Sequence, residues 1–263
     1  MALKIDLKDR IALITGVTDG IGAGVAAELA AAGCHVAGCG RRNADSAGAR
    51  AFLDAVESTG RKAAYCVADV CHRQDIERFI AGTVEQFGKL DLVVSNAGSN
   101  VFKGTRTCSE EDWQANLDLN FTAHWRLGQG VYEHLKKSGN GCYIIMGSNH
   151  AYSTIPGCSP YSITKSGLLG MVQSMAIEWG PDIRVLGLAP GFIDTKLNEE
   201  WLASFPNAKL ERQKTVDRHP VRRLGSPREI GGFCAFLASP YAAFATGTTY
   251  LVDGGRSAIM QDD

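Results

Sequence analysis

The chain has 263 residues, 45% hydrophobic and 21% charged, which suits a single α/β domain with a large buried core. A net charge of −1 leaves no excess of either sign to draw nucleic acid or an anionic membrane as a main partner. No apolar run approaches the roughly 18 residues that span a bilayer, Met1–Asp6 lacks the apolar core of a signal peptide, and none of the eight cysteines forms a C-x-x-C pair, so a cytoplasmic protein with reduced thiols and no metal is expected.

The first strand is the continuous apolar run 11–14, the kind buried on both faces. Thr15-Gly16-Val17-Thr18-Asp19-Gly20-Ile21-Gly22 follows, and an alanine-rich helix is predicted near 21–31. Strand, glycine turn and helix are the context of a dinucleotide site. The glycines let backbone approach a pyrophosphate, and the helix start offers it unpaired N–H groups. The same turn would also serve as a packing junction. Candidate cofactor residues here are Gly16, Thr18, Asp19, Gly20, Ile21 and Gly22.

A second strand, 34–39, ends without a carboxylate and runs into Gly40, Arg41 and Arg42. An acid at that place would hold the ribose 2′-hydroxyl of NAD, whereas guanidinium suits the 2′-phosphate of NADP. Arg41 and Arg42 therefore favour NADP over NAD, although they would also suit a solvated loop and Asp19 brings a negative charge close by. Helices 45–58 and 73–87 flank strand 63–67, beyond which Asp69-Val70 is placed to meet an adenine amino group. Strand 90–95 leads into Asn96-Ala97-Gly98, a small-residue turn against which a cofactor could lie.

A long helix near 110–138, strand 141–147, helix 160–179, strand 183–189 and strand 249–252 complete the alternation, which implies one parallel sheet covered on both faces, with no linker to divide 1–263. Ser148 follows the strand, and Tyr161 and Lys165 stand four apart in the next helix, on one face with Cβ atoms about 5–6 Å apart. A cation fixed beside a phenol lowers its pKa and makes it a usable general acid or base. The polar stretch from about 192 to 224 interrupts the rhythm where a substrate lid would sit, or an ordinary excursion with short helices. His150, Tyr152, Cys158 and Phe192 are expected to line the substrate pocket with Ser148 and Tyr161, a mixture that suits a sugar, polyol or hydroxy acid.

Taken together, Thr15-Gly16-x-x-x-Gly20-x-Gly22, Asn96-Ala97-Gly98, Asn120, Ser148, Tyr161-x-x-x-Lys165, Pro190-Gly191 with Thr195, and Val252-Asp253-Gly254-Gly255 resemble the classical short-chain dehydrogenase/reductase family from Leu7 to Gly255. The resemblance implies a single Rossmann domain, a nicotinamide cofactor and reversible alcohol–carbonyl oxidoreduction. It makes Tyr161 the acid/base, with Ser148 fixing the substrate oxygen. Lys165 then holds the nicotinamide ribose while lowering the Tyr161 pKa, and Asn120 anchors a water. Pro190, Gly191, Ile193 and Thr195 match the segment that folds over the nicotinamide. It also implies a homotetramer, or dimer, built on the helices near 110–138 and 160–179. Asp19 departs from the basic residue some NADP-preferring members carry in the turn, and Leu186 from an asparagine common before Pro-Gly. A 3-oxoacyl thioester or a cyclic ketone is the alternative substrate, and a catalytically silent NAD(P)-binding sensor the non-enzymatic alternative.

Overall fold

A computed structural model describes residues 4–260, so the first three residues of the Met1–Asp6 segment and the last three of the chain lie outside it. Its seven strands are β1 (Ile11–Thr15), β2 (His35–Gly40), β3 (Ala63–Val67), β4 (Leu92–Ser95), β5 (Gly141–Met146), β6 (Ile183–Pro190) and β7 (Thr249–Val252). All pair in parallel, in the order β3-β2-β1-β4-β5-β6-β7. Helices α1 (Gly20–Ala31), α2 (Ala47–Glu57), α3 (Arg73–Phe87), α4 (Glu110–Leu117), α5 (Ala123–Lys137), α6 (Ser159–Trp179), α7 (Lys196–Ala203), α8 (Ala208–Asp217) and α9 (Pro227–Ala238) make the crossovers and the coverings.

The apolar runs are continuous because each strand feeds two cores. Ala12 and Ile14 of β1 join Val25, Leu29, Phe52 and Ile230 on the α1–α2–α9 side. Ile11 and Leu13 join Ile80, Leu127, Leu168 and Val172 on the α3–α5–α6 side. Strand β5 divides likewise, with Cys142, Ile144 and Met146 on one face and Tyr143 and Ile145 on the other. Strand order reverses between β1 and β4, and at such a switch point the carboxyl ends of the strands open a crevice. Gly16 leaves β1 and Asn96 leaves β4 at that crevice.

Two elements differ from the sequence reading. The expected helix over 110–138 is α4 and α5 joined by a π-helical turn, Asp118–Thr122, with Asn120 inside the turn and fully buried. The wider turn admits the Asn120 side chain to the backbone of Ser99, where Oδ1 accepts from the Ser99 N–H at 3.0 Å and Nδ2 donates to the Ser99 carbonyl at 2.9 Å. Helix α9 is absent from the sequence reading, although Ser226-Pro227-Arg228-Glu229 carries its signal. Ser226 and Glu229 form a reciprocal capping box with Pro227 in the first turn. The stretch 192–224 holds the short helices α7 and α8, started by Thr195 and Asn207 caps.

Among the described residues, no helix is long and apolar enough to cross a membrane and no three His, Cys, Asp or Glu side chains converge as a metal site needs. The eight cysteines are unpaired.

Candidate active site

One cavity of about 990 Å³ runs along the carboxyl ends of the strands and joins both halves of the chain. At one end lies the glycine turn. Gly16 takes φ +76°, in the left-handed region, and a Cβ on Gly22 would stand 2.0 Å from the Gly16 carbonyl oxygen, so a side chain at Gly22 would push the turn apart. Asn96 braces the same turn from β4. Its Nδ2 donates to the Thr15 carbonyl at 2.9 Å, and Thr15 Oγ1 accepts from the N–H groups of Asn96 and Ala97, both at 2.9 Å. Asp19 caps α1 by accepting from the Gly20 N–H, which leaves the following first-turn N–H groups for an anion.

Thr18, Asp19, Gly20, Ile21, Arg41, Arg42, Asp69, Val70, Asn96, Ala97 and Gly98 all line this cavity, as do Pro190, Gly191, Ile193 and Thr195 across from them. Arg41 and Arg42 are exposed, and Tyr65 ties the loop by donating its O–H to the Arg42 carbonyl at 2.8 Å. A backbone cradle that a side chain at Gly22 would close and a helix start with free N–H groups fit the pyrophosphate of a dinucleotide.

At the other end the cavity meets Ser148, Tyr161 and Lys165, all buried. Ser148 is placed by the end of β5, and its Oγ accepts from the His150 N–H at 3.2 Å. Tyr161 and Lys165 share one face of α6, with the ammonium 5.5 Å from the phenol ring centroid. The electrostatics differ from the sequence expectation. The chain's own surroundings push the Tyr161 phenol up to about 12, by burial foremost, with the Ser148 hydroxyl opposing and Cys158 adding. Burial also brings the Lys165 ammonium down to about 7. Lys165 Nζ donates to the Met146 carbonyl at 3.0 Å, so its proton is directed at backbone and its charge is itself disfavoured.

Of the remaining candidates, His150 and Phe192 line the cavity, and the His150 ring stands edge-on to Tyr161 at 5.7 Å. Tyr152 does not line it. This side chain is 48% exposed and donates its O–H to the Thr249 carbonyl at 3.1 Å, directed toward β7. Cys158 is buried beside Tyr161 and forms no part of the wall. Asn120 stands behind the wall and reaches it through Ser99.

The sequence reading missed Asn116, whose Nδ2 donates to the Pro160 carbonyl at 2.7 Å and whose Oδ1 accepts from Asn120 at 2.8 Å. The four-residue spacing of Asn116 and Asn120 was its signal. It also missed Phe102 and Trp201, which form an aromatic wall with the expected Phe192, Trp201 lying 5.7 Å from Phe192 and 6.3 Å from Phe102 between ring centroids. Ion pairing between Arg212 and Asp194 ties α8 to the segment after β6.

The family model described as enoyl-(acyl carrier protein) reductase matches residues 16–257. Dehydrogenase/reductase SDR family member 4 of Homo sapiens is 37% identical over 97% of this chain and 90% of its own length. The (2S)-[(R)-hydroxy(phenyl)methyl]succinyl-CoA dehydrogenase subunit BbsD of Thauera aromatica is 31% identical over 95% of this chain and 98% of its own. Among solved structures, levodione reductase superposes with a TM-score of 0.91 at 28% identity, covering 96% of this chain and 99% of its own. The chain belongs to the short-chain dehydrogenase/reductase family, a class of oxidoreductases acting on alcohols and carbonyls with a nicotinamide cofactor.

Proposed function

We propose that this protein interconverts a secondary alcohol and a carbonyl, with NADP preferred over NAD. The observation that carries the reading is the convergence of Ser148, Tyr161 and Lys165 on the cavity that also contains the glycine turn. A bound nicotinamide supplies or accepts the hydride at its C4. In reduction Tyr161 donates its phenolic proton to the substrate oxygen, and in oxidation the phenolate receives it. Ser148 Oγ donates a hydrogen bond to that oxygen and holds it in reach. Lys165 would hold the nicotinamide ribose, and where it keeps its proton its charge would favour a phenolate at Tyr161 against the burial that disfavours both charged forms. Asn120 is a positioning residue that fixes the Gly98–Ser99 wall.

Arg41 and Arg42 supply the cationic end for a 2′-phosphate. The aromatic wall favours a substrate that presents a ring or apolar face beside its hydroxyl, such as a sugar ring, over an open-chain polyol. The same wall supports a cyclic ketone as the second reading. Exposed Trp125 on α5 and exposed Ile163 and Ile177 on α6 support a homotetramer, and the unpaired cysteines suit the reducing cytoplasm.

Replacement of Tyr161 by Phe tests the reading. Turnover is expected to fall by about 10²–10⁴ or more across a panel of secondary alcohols and ketones, while NADP affinity in a fluorescence titration stays near that of the parent protein. Undiminished turnover in Tyr161→Phe would remove the assignment. Cofactor binding without reaction in the parent protein across the whole panel would make the chain a silent dinucleotide sensor instead.

A further inference from the structure

Most guanidiniums around the lid are neutralised. Arg212 pairs with Asp194, Arg222 with Asp217 and Arg223 with Glu229. Two others line the cavity with no ion pair among the described residues: Arg218, just after α8, and Arg256, in the turn after β7. Arg256 Nη1 is buried without a hydrogen-bond partner. Asp253 is the acid whose charge bears on it, yet both Asp253 oxygens hold backbone, accepting from the N–H groups of Gly255 at 2.9 Å and Ser257 at 2.8 Å. His219 adds no further positive charge, since burial lowers its pKa although its Nδ1 faces the Thr215 carbonyl at 2.7 Å.

This cationic pair belongs to the reacting end of the cavity. Asn149, next to Ser148, reaches Ser257 Oγ at 3.5 Å, which joins the Arg256 turn to the segment carrying the catalytic serine. His150, edge-on to Tyr161, has its pKa lowered by burial and then by the Arg256 charge. Arg41 and Arg42 stand apart, at the end of β2.

A partly buried guanidinium keeps its charge and loses hydration, a cost that an approaching anion relieves through charge-assisted hydrogen bonds. Resting on the oxidoreductase reading above, we infer that the substrate carries an anionic group, a carboxylate or a phosphate, that docks between Arg256 and Arg218 while its alcohol or carbonyl carbon faces Ser148 and Tyr161. Since Arg218 follows a lid helix and Arg256 belongs to the body, the anion ties the lid to the site as it binds.

The test compares matched probes with the full chain and saturating NADP or its reduced form. The pairs are 3-hydroxy-3-phenylpropanoate against 1-phenylpropan-1-ol, and propane-1,2-diol 1-phosphate against propane-1,2-diol. The parent protein is expected to favour the acid of at least one pair by about tenfold to a hundredfold in kcat/KM, through KM. Arg256→Met, Arg256→Lys and the exposed-site variant Arg218→Gln should each lower that preference, with Arg256→Lys losing least. The carboxylate and phosphate arms identify which anion fits. Equal handling of acid and neutral partner by the parent protein, or equal losses on both in the variants, overturns the inference and leaves the oxidoreductase reading standing. Calorimetry separates the two claims. Binding of an acid probe that Arg218→Gln weakens, without turnover of any probe, supports the anion site and counts against the reaction. Absence of Arg-dependent binding to any acid probe overturns the anion site.

Discussion

Lys165 is the residue at which stability and function oppose each other. Its ammonium titrates near 10.5 in an unfolded chain and near 7 in the fold, with burial as the cause. Below about pH 7 both states hold the proton, and the folded state carries the whole cost of a buried charge. Between 7 and 10.5 the unfolded chain binds more protons than the fold, so this group makes stability rise with pH across that window. Tyr161 has the opposite sign. Its phenol titrates near 10 unfolded and about 12 folded, so its contribution is present below pH 10 and is lost between 10 and 12. Lys165→Met is therefore expected to gain on the parent protein as pH falls from 9 to 6, by about 1–3 kcal/mol in urea unfolding, once water penetration is allowed for. The Met146 carbonyl loses its donor at every pH, so the change with pH is diagnostic rather than the absolute difference. A pH-independent difference would show that the fold holds Lys165 charged throughout. The four-residue spacing made the Tyr161–Lys165 pair legible in sequence, but not the direction of its electrostatics, because desolvation depends on neighbours that only the fold brings together, Ser148, Met146 and Cys158 among them. Arg256 was illegible for a related reason. Asp253, three residues away, looks like its partner, and only the fold shows both Asp253 oxygens committed to backbone.

At the scale of elements, the strands were legible because burial on both faces leaves no polar alternation, and the register pairs Leu13 with Ala37 and Val93 inside one continuous core. Helix ends and interruptions were harder. A π-helical turn costs no change in residue type, so helix pattern alone makes Asn120 an ordinary polar residue; the family resemblance singles it out, and its bonds to Ser99 show how it is held. Helix α9 did leave a mark, since Ser226 and Glu229 satisfy each other's orphan groups and Arg223 holds Glu229 at both oxygens. Ser226→Ala removes an N-cap and is expected to cost about 1 kcal/mol, read as a lower urea midpoint at unchanged slope. Because α9 packs on α1, whose first turn belongs to the glycine turn, the same variant is expected to weaken dinucleotide binding slightly. Unchanged stability would mean that the capping box adds nothing beyond what α9 gains by burying Ile230, Cys234 and Leu237.

At the scale of the whole molecule, the cavity is where the two halves of the sheet meet, and its walls come from segments as far apart as Gly16 and Arg256. A ligand that lies along it from the β2 end to the α6 end binds only the assembled fold, so it stabilises the whole chain by mass action. NADP at a hundred times its dissociation constant is expected to add about 2.7 kcal/mol, seen as a rise in melting temperature that grows with concentration. On the proposed preference for NADP, Arg41 and Arg42 set how that gain divides between the two dinucleotides, which differ by one phosphate. Replacing both with Ser removes the guanidiniums without touching the turn at Gly16 and Gly22 that would hold the shared pyrophosphate. The double variant should need about tenfold to a hundredfold more NADP for the same thermal shift, while the NAD concentration required stays within about twofold of the parent value. Equal loss for both dinucleotides would place Arg41 and Arg42 on the common part of the cofactor. No loss for either would return them to the role of a solvated loop, and the 2′-phosphate would have to be held from elsewhere along the cavity.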